Sequence, residues 1–216
     1  MGINKTIKKA FIFIDGSNLY HNFKASFIKP SEIDLSKMAQ LIAKNFNCEL
    51  KKVIYFNSIP SLEDGKEKYY AHMSFLEDLK KRGFEVKTRK LQRLSNQERI
   101  QIINNEISSL GLCKTCEPIV KSHWKDYMGA ISVKEKGIDI MISTDMMMHG
   151  LIRKDCNACI LVSGDADFIP CMELIKSSGV WVASSSTVKG YSYELRAKFP
   201  WFILDKDWVK KNCSKY

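Results

Sequence analysis

Strand-length apolar runs alternate with longer segments of helical periodicity along most of the chain. The runs at 10–14, 52–57, 84–90, 158–163 and 180–184, with a weaker sixth at 201–204, predict β-strands. Between them the apolar positions recur with helical spacing at 18–27, 35–46, 65–82, 138–153, 168–178 and 191–198. This alternation is the pattern of an α/β domain with a mostly parallel sheet. Its punctuation agrees: Asp34 is placed to cap a helix, Gly83 and Gly179 stand where helices stop, and Pro170 falls in a first turn, where its missing N–H does no harm. No apolar run approaches the roughly 18 residues that cross a bilayer, so no membrane span is expected.

The stretch 91–132 breaks the rhythm. Connections in α/β units run to about 2–6 residues, so this segment is an insertion. It is helical in pattern over 96–110 and then carries Cys113, Cys116, His123 and Trp124. The 216 residues therefore predict a single domain with one partly helical insertion.

Charge narrows the partner. The chain holds 34 Lys and Arg against 24 Asp and Glu, a net charge of +10. Such a surface recruits phosphate by releasing counterions, which points to nucleic acid. Lys80, Lys81, Arg82, Lys87, Arg89, Lys90, Arg93 and Arg99 form a basic run that leads into the insertion and could grip an RNA backbone. The odd count of 7 Cys and the lack of a secretory pattern at the amino end lead us to expect a reducing cytoplasm.

The candidate chemistry lies just past strand ends, where an open parallel sheet presents its ligands. In FIFIDGSNLY, four apolar residues run into Asp15, Gly16 permits a tight turn, and Ser17 or Asn18 can cap the next helix. In ILVSGDADFIP, Asp165 and Asp167 follow a buried strand in the same way. A third cluster, KEKGIDIMISTDMM, places Asp139 in the first turn of an apolar helix, with Asp145 six residues on and Lys136 three before. Lys136 can pair with Asp139 or with a phosphate. If the first and fourth strands are neighbours, Asp15, Asp139, Asp165 and Asp167 converge. Converging carboxylates repel one another unless a hard cation such as Mg²⁺ or Mn²⁺ lies between them.

These three motifs, FIDGSNL, K-x-x-D with its following TD, and LVSGDADF, resemble in order and spacing the NYN domain of PIN-like nucleases, in its LabA-like branch. The resemblance implies a PIN-like three-layer fold and a metal-dependent ribonuclease cleaving RNA phosphodiester bonds with Mg²⁺ or Mn²⁺. It assigns Asp15, Asp139, Asp165 and Asp167 as catalytic metal ligands, Asn18, Lys136 and Ser163 as residues on the substrate side, and Asp145 as an additional acidic position. The alternative on the same fold is a non-catalytic RNA- or protein-binding module. The resemblance does not extend over 91–132, which leaves substrate choice and homo-oligomerisation as roles for that segment.

Other chemistries fit less of the sequence. A phosphatase of the haloacid-dehalogenase type needs Asp-x-Asp at the first motif, and Phe13 occupies the first of those positions. A glycosyltransferase Asp-x-Asp at Asp165 and Asp167 leaves Asp15 and Asp139 without a task. Cys113, Cys116 and His123 offer a partial zinc site, and Cys156 with Cys159 repeats the C-x-x-C spacing. Buried thiols are the simpler expectation for all four cysteines. His21 and His72 read as surface or capping residues, and His149 next to Gly150 marks an interruption of the helical segment 138–153.

Overall fold

In a computed structural model the chain is described over residues 7–60, 62, 65–90, 92–93, 96–128, 133–134 and 137–215. Strand β1 (Lys8–Asp15) leads into α1 (Gly16–Ala25), a 3-10 turn at Pro30–Glu32, α2 (Leu35–Asn45) and β2 (Cys48–Ile59). Then come α3 (Lys66–Lys81), β3 (Glu85–Lys90), β4 (Gln92–Arg93), α4 (Asn96–Ser109), α5 (Cys116–Met128) and β5 (Val133–Lys134). After α6 (Ile138–Met147) and a π turn at Met148–Ile152 follow β6 (Ala158–Val162), a 3-10 turn at Ala166–Phe168 and α7 (Ile169–Ser177). Strand β7 (Trp181–Ser186), α8 (Tyr193–Lys198), β8 (Trp201–Ile203) and α9 (Lys206–Cys213) complete the chain.

Two compact units result, one running to Arg89 and resuming at Gly137, the other Lys90–Lys136. The first is built on a six-stranded parallel sheet in the order β3-β2-β1-β6-β7-β8. Its central strands are apolar on both faces, because helices cover both. In β1, Ala10, Ile12 and Ile14 pack with α1, α2, α3 and α9 through Leu19, Phe23, Met38, Ile42, Leu76 and Val209. Phe11 and Phe13 point to the opposite layer, where Ile142, Met146, Met172, Ile175 and Leu195 from α6, α7 and α8 meet them. The period of two along one strand thus generates the three layers.

The expected punctuation holds. Asp34 accepts the Ser36 and Lys37 N–H groups at 2.9 and 3.1 Å, and Gly83 and Gly179 follow their helices with φ of +87° and +88°. The helix expected over 138–153 instead ends at Met147 and widens into the π turn. That turn carries His149 into the core, where its Nδ1 lies 3.0 Å from both carboxylate oxygens of Asp155.

The second unit has its own small core, Ile103 and Ile107 packed with Ile102, Leu112 and Val120. It closes at its base through an antiparallel pair, Gln92 with Lys134 and Arg93 with Val133. Among the described residues, no helix is long and apolar enough to cross a membrane.

Candidate active site

From β1 the sheet grows one way through β2 to β3 and the other way through β6 to β8. The connections therefore diverge between β1 and β6, and a crevice opens beyond the carboxyl ends of those strands. Ile14 pairs with Val162 at that end, so Asp15 and the Ser163-Gly164-Asp165 turn leave the sheet side by side.

Hydrogen bonds lock them together. Asp15 is 5% exposed. Its Oδ1 accepts the Asn18 N–H at 3.0 Å and its Oδ2 accepts the Ser163 hydroxyl at 3.2 Å. Ser163 Oγ in turn accepts the Asp165 N–H at 3.3 Å, and Asp165 Oδ1 takes the Asp167 N–H at 2.9 Å. From the helix side, Asn18 Oδ1 accepts the Gly164 N–H at 3.1 Å and the Asn22 amide at 2.7 Å. The cap of α1 is thus Asp15 itself, where Ser17 or Asn18 was expected, because the helix starts one residue after the strand ends.

Two glycines permit this closeness. A Cβ on Gly16 would stand 2.5 Å from the Tyr55 hydroxyl and 2.7 Å from the Phe56 carbonyl oxygen. One on Gly164 would overlap the Gly190 carbonyl oxygen, and Ser192 donates its N–H to the Gly164 carbonyl at 2.9 Å. Tyr55 registers the site's charge: burial first, and then the neighbouring Asp15 carboxylate, push its phenol above the ordinary range.

The remaining site residues divide. Asp167 is exposed beside Asp165. Asp139 is exposed in the first turn of α6, where its charge suits the helix dipole, and that helix packs against β1 and the Ala166–Phe168 turn. Ser163 is 1% exposed; its hydroxyl bonds both Asp15 and Asp165, so it positions carboxylates. Asn18 likewise joins α1 to the β6 turn. Asp145 pairs with Lys87, which also reaches Glu85 at 3.2 Å. Lys136 lies outside the described residues. Among the described residues, no three His, Cys, Asp or Glu side chains are grouped closely enough to hold one ion.

The cysteine expectations need correction. Cys113 and Cys116 are exposed, outside the small core of their unit, whereas Cys156 and Cys159 are buried as expected, with their sulfurs 3.7 Å apart. The basic run is also partly tied up. Lys80 pairs with Glu77, Arg82 with Asp78 and Asp34, and Lys87 with Glu85 and Asp145.

Sequence reasoning missed a buried polar cluster that joins Asn22 to the end of β7. Asn22 donates to Ser186 Oγ at 3.4 Å, and Ser184, Ser185, Ser186 and Thr187 are all buried at the end of β7. The signals were an Asn pair at i, i+4 after DGS and a polar SSST run closing an apolar strand.

A three-layer α/β fold with carboxylates at its switch point has the architecture of the PIN-like nucleases. Within that class the chain belongs to the NYN domain family, whose model matches residues 9–204. Among solved structures it is similar to VPA0982, a protein of unknown function from Vibrio parahaemolyticus RIMD 2210633, with 17% identity and a TM-score of 0.57. The match covers 95% of this chain and 98% of that one, and at this identity it concerns the fold alone. No curated protein matches the chain.

Proposed function

We propose that this NYN protein is a metal-dependent ribonuclease of the LabA-like branch that hydrolyses RNA phosphodiester bonds. NYN domains are generally ribonucleases. Within this chain the reading is carried by one observation, the hydrogen-bonded unit of Asp15, Ser163 and Asp165 at the switch point.

By donor chemistry the site suits Mg²⁺ or Mn²⁺, since Asp15, Asp139, Asp165 and Asp167 offer only hard carboxylate oxygens. Such an ion, when bound, supplies a hydroxide nucleophile and stabilises the leaving oxygen. Asp15 and Asp165 are the fixed part of that ligand set. Asp139 and Asp167, both exposed, can reorient without opening the core. Ser163 and Asn18 hold the fixed pair against its own repulsion. Seven reduced cysteines fit a cytoplasmic setting for this activity.

The test is Asp165→Asn. Asparagine keeps an oxygen for the Asp167 N–H and removes only charge, so the fold should persist. Cleavage of mixed RNA in Mn²⁺ should fall at least ~100-fold, the loss of ~2.7 kcal/mol of transition-state stabilisation, while RNA binding remains. An unchanged rate, or wild-type cleavage that ignores chelator, would overturn the assignment. The second reading, a non-catalytic RNA- or protein-binding module, is favoured by the lack of a three-ligand group among the described residues. It predicts wild-type protein that binds RNA and leaves it intact.

A further inference from the structure

Starting from the two residues that follow Asp15 lies a cavity of about 650 Å³, walled by α1, β2 and α3 and closed by Pro30, Ser31, Leu35 and Lys215. Pockets that enclose small organic ligands have volumes of about 300–1,000 Å³. Its walls are aromatic. Tyr20 on α1 and Phe75 on α3 both line it yet remain 44% and 36% exposed, and Tyr55 meets the Phe75 ring edge-on at 5.8 Å.

The α3 wall has a chemical order. Lys68, His72 and Phe75 all line the cavity, and their spacing of four and then three residues places them on one helix face. His72 donates one ring N–H to the backbone of Ser58, and burial holds its pKa below the usual histidine value. Its Nε2 is buried, with no hydrogen-bond partner among the described residues, so His72 contributes wall and the groups left for a ligand are the rings and Lys68. Lys68 adds a cation on the same wall.

We propose that this cavity receives one unstacked base of the bound RNA. The base stacks against Phe75 and Tyr20, and Lys68 meets the attached phosphate. Aromatic faces that take splayed bases are a means by which single-stranded RNA is gripped. The chain's net charge of +10 favours that polyanion over an acidic or neutral peptide's weaker field. This inference rests on the RNA reading above. It adds that the strand is held by a base in a cavity that begins at the residue after Asp15.

The experiment uses the full chain in chelator, with no cleavage required. AMP, CMP, GMP, UMP, ribose 5-phosphate and a four-nucleotide RNA are titrated while intrinsic fluorescence is followed. At least one nucleoside monophosphate should bind at least ~10-fold more tightly than ribose 5-phosphate, and the tetranucleotide more tightly still. Phe75→Ala should weaken binding ~10-fold, in keeping with 1–3 kcal/mol per stacked base. Phe75→Tyr should restore it. Ribose 5-phosphate binding as well as the nucleotides, or Phe75→Ala binding as wild type, would overturn the proposal. So would a mononucleotide that outbinds the tetranucleotide, since the cavity would then serve a free nucleotide. Parallel cleavage assays keep the two readings apart. Phe75-dependent binding without any cleavage removes the nuclease reading and leaves the base site standing, and cleavage without it does the reverse.

Discussion

Asp145 follows Asp139 by six residues, which leaves their side chains about 120° apart around a helix of 3.6 residues per turn. Asp145 faces Lys87, and the pair is largely sheltered, with the two side chains 15% and 29% exposed. Burial alone would pull the Lys87 ammonium down, but its bonds to Asp145 and Glu85 outweigh this and hold its pKa above the ordinary lysine value. Exposed pairs contribute about 0–1 kcal/mol, while removing one partner of a buried pair costs about 3–5. Asp145→Asn should therefore lower stability by about 1–2 kcal/mol in urea unfolding and leave RNA cleavage near wild type. Intact stability with lost cleavage would return Asp145 to the site. At this scale the sequence exposes what is local. Asp15 and Asp165 announce themselves because each follows its own strand. Asn22 does not, since its partner Ser186 is 164 residues away, and His72 reads as a surface residue until α1 and β2 are folded against it.

Strands and helices that carry a strong apolar stripe were legible to within a few residues, as β1, β6 and α2 show. Helix α9 was not, because only Val209 and Cys213 are buried among lysines. Two apolar positions make no visible period. The break of the helix was legible as an interruption at His149 and Gly150, but the π turn that sets His149 beside Asp155 was not, because Asp155 lies beyond the helix. The two loops that meet at Gly164 and Gly190 were equally invisible, since neither glycine shows in sequence which backbone it will touch. Their contact makes a prediction. Gly164→Ala must push the Gly190 carbonyl aside, and overpacking of this kind costs about 1–3 kcal/mol. The variant should unfold correspondingly earlier and lose cleavage, because the same turn aligns Ser163 and Asp165. Wild-type stability on thermal unfolding would show that the Gly190 loop can retreat, and that close backbone approach is not what the SGD motif requires.

On the scale of the whole molecule, the first unit holds the sheet and the carboxylates, while residues 90–136 form a unit of their own. Among the described residues, three of the eight in the basic run, Lys80, Arg82 and Lys87, pair with neighbouring acids, which weakens the run as a grip on RNA. We infer that the insertion governs RNA affinity or self-association, and not the chemical step. The excision is feasible because β4 and β5 pair where the insertion leaves and returns, and the Arg89 side chain reaches Gly137. Replacing 91–132 with a short Gly/Ser linker should leave kcat at saturating RNA within a few-fold of wild type. It should also raise KM about tenfold, or reduce the oligomeric mass on light scattering. Salt supplies an independent reading. Each phosphate neutralised on a single strand contributes about −0.7 to the slope of log affinity against log salt, so if the insertion binds RNA, its loss should flatten that slope in proportion to the contacts removed. A folded deletion variant that keeps KM, salt slope and mass but loses turnover would show that the insertion belongs to the catalytic apparatus.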